Sequence, residues 1–202
     1  MAAILTSLRN TVLAGFVLAI ILLVIVGLVT GGYGLTFGKG FWLFVVRWLH
    51  VISGVLWIGL LYYFNFVQIP NMPKIPDEQK PAVSKVIAPA ALFWFRWGAM
   101  STITFGILLA LLQEYFVNAV LLGITSKVPN HTMIGIGMWL GTIMWFNVWF
   151  VIWPNQKIAL GMVEATADQK KAAARKAMLF SRTNTMLSVP MLYAMIATQS
   201  AY

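Results

Sequence analysis

The chain has only two histidines, and each opens a copy of one pattern. His50, Gly54, Trp57, Gly59, Asn65, Pro70 and Asn71 recur in order as His131, Gly135, Trp139, Gly141, Asn147, Pro154 and Asn155. Further along, Glu78-Gln79-Lys80 answers Asp168-Gln169-Lys170, and Arg96 with Met100 answers Arg182 with Met186. Short insertions separate the copies. Two equivalent imidazoles can ligate one iron from opposite sides, which is the chemistry of a low-spin b-type haem. His50 lies nine residues into an apolar stretch, about 13 Å at helical rise. An ionisable group at that depth points to a functional site. Gly54 lies one turn beyond His50, and Gly135 has the same relation to His131. A glycine there leaves room for a flat macrocycle. Arg47, one turn on the other side of His50, suits haem propionates or snorkelling to outer headgroups.

The same residues admit other readings. Each histidine can instead hydrogen-bond a carbonyl or cap a helix, while Gly54 and Gly135 serve close helix packing. His131 follows Pro129-Asn130 and can lie in a loop at a different depth from His50. Copper is the other cofactor candidate, because Met133 and Met138 supply thioethers near His131.

Long apolar helices must position these groups. Hydrophobic residues make up 60% of the 202 positions and charged ones 9%, which excludes an ordinary water-soluble globule. Apolar runs over 11–29, 41–67, 89–112 and 133–153 are long enough to span a bilayer. A fifth, 186–197, is short and holds Pro190, whose freed carbonyl neighbouring helices can satisfy. The expected fold is all-α integral membrane with about five transmembrane helices. Residues 1–30 form an anchor helix, read as retained rather than as a cleaved signal peptide. Residues 41–112 and 122–202 form two parallel two-helix repeats, which together make a four-helix bundle. The whole chain is read as one membrane domain, with a glycine-rich external turn over 31–40. Residues 164–181 read as a basic helix running on toward the fifth span.

The net charge of +9 is no sign of nucleic-acid binding, because the cations are sorted by loop. Ten of the 14 Lys and Arg fall at Arg9, at Lys74, Lys80 and Lys85, and at Lys157, Lys170, Lys171, Arg175, Lys176 and Arg182. The positive-inside rule puts these segments and the N-terminus in the cytoplasm and the C-terminus outside. Arg96 and Arg182, at the start of the returning helices, read as interface anchors or, alternatively, as anion ligands. The tryptophans read as packing and interfacial belt. The chain has no cysteine, so Cys-ligated metals, disulfides and covalent c-type haem are excluded. Two histidines and five acids offer no nucleophile–base–acid set for a hydrolase.

The stretch from His50 to Gln68 resembles the membrane domain of PuuD-type urate oxidases, and so does the stretch from Gly141 to Lys157. The likeness covers most of 41–183. Full members of that family join a multi-span N-terminal domain to a cytochrome c domain and oxidise urate to 5-hydroxyisourate. With no C-x-x-C-H, this chain is read as a short form lacking the cytochrome domain. A more distant likeness to CopD-like and HemJ-like membrane proteins lies in the histidine–tryptophan–glycine pattern.

Two functions follow as expectations. One is a redox protein of the bacterial inner membrane, holding haem b between His50 and His131. It would pass electrons to an external cytochrome c, as a urate-oxidase-type oxidoreductase component. The other is a non-catalytic accessory subunit of a larger respiratory-type membrane complex. In both, the lipid bilayer is a partner, and a homo-oligomer is compatible with either.

Overall fold

The computed structural model describes residues 2–30 and 36–200. The first half of the expected 31–40 turn lies outside them. Among the described residues the secondary structure is helical throughout. The chain divides into two compact units, 1–45 and 46–202.

The first unit holds a short helix, Ala2–Leu5, and α1, Leu8–Val29. Only Gly27 of α1 is buried, as expected of a lipid-facing anchor. Next come α2 (Lys39–Lys74), whose first residues belong to this unit, α3 (Lys80–Leu112) and α4 (Pro129–Ala159). Together with α1 these are long and apolar enough to cross a membrane. The last helix, α5, runs unbroken from Ala167 to Ser200 with Pro190 inside it. It joins the basic stretch and the fifth apolar run into one element, as expected. Thr, Asn, Ser and Gln in its second half keep it out of the set of four apolar helices.

In the second unit α2, α3, α4 and α5 share one core. Trp57, Ile58, Leu61 and Phe64 meet Leu92, Phe95 and Ala99, then Met144, Val148 and Ile152, and finally Met191. Small residues set the crossings, since lipid gives apolar helices no hydrophobic reason to associate. A Cβ on Gly98 would stand 3.3 Å from the Trp57 backbone nitrogen, and one on Gly137 would stand 3.3 Å from the Ala194 Cβ. Hydrogen bonds give the directions. Going along α2 from Tyr62 to Asn65 means going back along α5 from Ser188 to Ser181. Going along α4 from Gly137 to Asn147 means going back along α5 from Ala194 to Asn184. Both α2 and α4 are therefore antiparallel to α5 and parallel to each other, as the repeat requires.

Three π-helical stretches interrupt these helices: Tyr63–Gln68, Val83–Ile87 and Asn147–Ile152. Each ends two residues before a proline, namely Pro70, Pro89 and Pro154. The residue just before each proline donates to the carbonyl five back: Ile69 to Phe64, Ala88 to Val83 and Trp153 to Val148. Proline has no N–H, and its ring crowds the carbonyl four back. Widening the helix by one residue relieves that clash without ending the helix.

Candidate cofactor-binding site

His50 sits about a third of the way along α2 and faces α3. Its Nδ1 is 2.9 Å from the Thr102 carbonyl oxygen. A carbonyl only accepts, so Nδ1 carries the proton and Nε2 keeps its lone pair. Thr102 is itself fixed by its hydroxyl, which donates to the Gly98 carbonyl at 2.7 Å. Gly106 makes the space: a Cβ there would lie 3.0 Å from the His50 Cε1 and 3.2 Å from Nδ1. The glycine that seats the ring is thus on the facing helix. Gly54 lies in ordinary contact range of the Thr102 methyl, at 3.9 Å. Gly106→Ala is expected to push the imidazole off Thr102 and cost about 1 kcal/mol, the net worth of one hydrogen bond. The measurements are the unfolding midpoint and the His50 ring-nitrogen shifts. Gly59→Ala, with nothing within 4 Å of the new methyl, is the unchanged control.

His131 is the third residue of α4, two after Pro129. Its Nδ1 is 2.8 Å from the Ser126 hydroxyl in the preceding loop. The Tyr115 ring lies 6.3 Å away, tilted by 32°. Burial pushes the Tyr115 phenol up, and the charge of Arg47 pulls it partly back. Arg47, Tyr115 and His131 therefore gather at one end of the bundle, with His50 one turn further along α2. His50 stands 20 residues before its Pro70, and His131 stands 23 before Pro154. Counted from these prolines, His131 is three residues further out, about 4.5 Å of helix.

The two glycines differ more than the repeat suggests. Gly135 is closed against the short helix Phe116–Val120, so that a Cβ would collide with the Ala119 carbonyl. The room expected there for a macrocycle is filled by protein backbone. The loop over 113–128 that supplies this contact is strained. Glu114, Leu122 and Lys127 all hold positive φ, at 63°, 52° and 53°, where glycine is the usual residue. Such strain persists only where the surroundings enforce it.

A second polar feature was not legible as a unit in the sequence. Ser181, Asn184 and Ser188 form a buried stripe on α5. Asn147 Nδ2 donates to Asn184 Oδ1 at 2.8 Å, and Asn184 Nδ2 donates to the Met144 carbonyl at 2.9 Å. Asn65 Nδ2 donates to the Leu61 carbonyl and to the Ser181 hydroxyl. Tyr62 and Ser188 share a hydrogen bond of 2.9 Å. The repeated Asn65 and Asn147, each within or at the start of a π stretch, were the available signal.

Among the described residues no three of His, Cys, Asp and Glu gather as a metal site. The fit of a haem therefore rests on imidazole. His50 suits it by tautomer. His131 offers a second nitrogen, and its Gly135 side is closed.

The family model for the urate oxidase N-terminal region matches residues 127–202. That segment holds His131, Asn147, Asn184 and the whole of α4 and α5. Neither the curated proteins nor the solved structures give a match. Residues 127–202 are thus similar to the urate oxidase N-terminal region, and they include the stretch from Gly141 to Lys157 but not that from His50 to Gln68.

Proposed function

We propose that this is an integral membrane redox protein in which His50 and His131 hold a b-type haem. The observation that carries the reading is the His50–Thr102 bond. A ligating histidine typically donates its other ring nitrogen's proton to a carbonyl or carboxylate, which fixes the ring and raises its basicity. His50 has this arrangement before any metal binds. Bound haem would supply one-electron transfer. Arg47, one turn away, adds a positive charge suited to propionates. The electrons would go to an external cytochrome c, within a urate-oxidising system of the inner membrane. The cation distribution supports a cytoplasmic N-terminus and an outer C-terminus.

The test is a reduced-minus-oxidised visible spectrum of the detergent-purified chain, with haem quantified as its pyridine complex. The expected result is a b-type signal near one haem per chain that is lost in both His50→Ala and His131→Ala. An unchanged band in both variants would sink the ligand assignment. Two observations favour the accessory-subunit reading instead: the closure of Gly135 on Ala119, and the use of His131 to hold Ser126. That reading predicts no pigment and co-purification with a larger assembly.

A further inference from the structure

We infer that Arg96, with the tryptophans around it, forms a binding site for a phosphate-type oxyanion. This site stands apart from the haem ligands. The Arg96 guanidinium carbon lies 3.3 Å from the centre of the Trp153 ring and 5.8 Å from that of Trp149. A guanidinium laid face-on over an indole keeps its N–H groups in its own plane, where the ring cannot reach them. One is used: Nε donates to the Leu92 carbonyl at 3.2 Å. Among the described residues the terminal nitrogens have no hydrogen-bond partner, and no carboxylate pairs with the charge.

A neighbouring donor is in the same condition. Trp149, whose ring centre lies 5.8 Å from the Arg96 guanidinium carbon, keeps its Nε1 buried without an acceptor. Lys157 places its Nζ 5.7 Å from the Trp153 ring centre, adding a second cation. A buried donor left without an acceptor is costly. Here it accompanies an uncompensated arginine, so the missing partner is an acceptor carrying negative charge. A phosphate has several strong acceptor oxygens and matches the guanidinium fork.

The repeat provides an internal comparison. Arg182 is the counterpart of Arg96, yet it is exposed, and among the described residues no ring lies beneath it. An arginine that only anchored the interface would need no more than Arg182 has. Trp153 immediately precedes Pro154 near the C-terminal end of α4, which puts the site at the basic end of the bundle. Trp97, packed edge-on against Trp149 at 5.6 Å, is half exposed and leaves the site open sideways. Both a lipid phosphodiester and a soluble phosphate can reach it.

The experiment uses the full chain in nanodiscs and reads tryptophan fluorescence. One arm titrates inorganic phosphate into phosphatidylcholine discs. The other raises the phosphatidylglycerol fraction of the discs. A saturable change is expected in at least one arm, and the responding arm names the source. Arg96→Gln should abolish it. Arg96→Lys keeps the charge but loses the fork, and should weaken it roughly tenfold or more. Trp149→Phe keeps the ring, removes one donor and should also weaken it, which decides the matter should Arg96→Gln fail to fold. Arg182→Gln should change nothing. No response in either arm, or the same response in wild type, Arg96→Lys and Trp149→Phe, would overturn the site.

Discussion

Gly135→Ala is expected to destabilise the bundle by about 3 kcal/mol, at the upper end of the usual range for overpacking. The added methyl would enter the space of the Ala119 carbonyl. A carbonyl within the Phe116–Val120 helix cannot swing away as a side-chain end can. Relief requires moving α4 or the short helix, and the loop joining them already holds Leu122 and Lys127 in the left-handed region. The repeat supplies the control. Gly54→Ala places its methyl 3.9 Å from the Thr102 methyl, an ordinary contact, and Gly141→Ala meets nothing within 4 Å. Both should fall within about 0.5 kcal/mol of wild type, apart from the small gain of alanine over glycine in a helix. Unfolding titrations of the three variants in one detergent give the comparison. Equal stability of Gly135→Ala and Gly54→Ala would mean that the short helix does not pack on α4 as described.

That contrast shows where the sequence was informative. Apolar runs over 41–67, 89–112 and 133–153 mark helices that are present as Lys39–Lys74, Lys80–Leu112 and Pro129–Ala159. Membrane helices are legible because the bilayer demands length and apolarity of each segment separately. The helices outrun the apolar runs because backbone pairing continues into the interface. The repeat also placed Asn65 and Asn147 correctly as counterparts. What it missed was decided between helices. Gly106 lies in an unremarkable apolar run, and nothing local marks it as the seat of His50. Trp57 is buried, whereas its counterpart Trp139 is half exposed and donates to the Val120 carbonyl. Equivalent positions in sequence thus acquired different neighbours, because the loop over 113–128 packs on the second repeat unit. The π stretches were recoverable in principle: a proline inside a helix that runs past its apolar stretch calls for local rewidening.

Asn184→Leu is expected to cost about 3–5 kcal/mol, more than any other single substitution in the polar stripe. Asn184 is fully buried and uses both ends of its amide, accepting from Asn147 and donating to Met144. Leucine keeps the branched outline but is larger, so some overpacking adds to the polar loss. Two bonds disappear, worth about 1 kcal/mol each, and Asn147 Nδ2 is left buried without an acceptor at about 1–3 kcal/mol. Interhelical hydrogen bonds in membranes average only about 0.6 kcal/mol when measured as pair couplings. A double-mutant cycle separates the two quantities. Asn147→Leu with Asn184→Leu should cost less than the sum of the single variants by about 0.6–2 kcal/mol, because the orphaned donor is then gone. Strict additivity would mean that the two amides do not meet. Asn65→Leu should cost less than Asn184→Leu although Asn65 is the counterpart of Asn147. Asn65 Oδ1 is already buried without a partner, so its removal recovers part of what the lost bond to Ser181 takes away. The stripe therefore fixes the register of α5 against α4 more firmly than against α2. The repeat that is symmetric in sequence is held together asymmetrically.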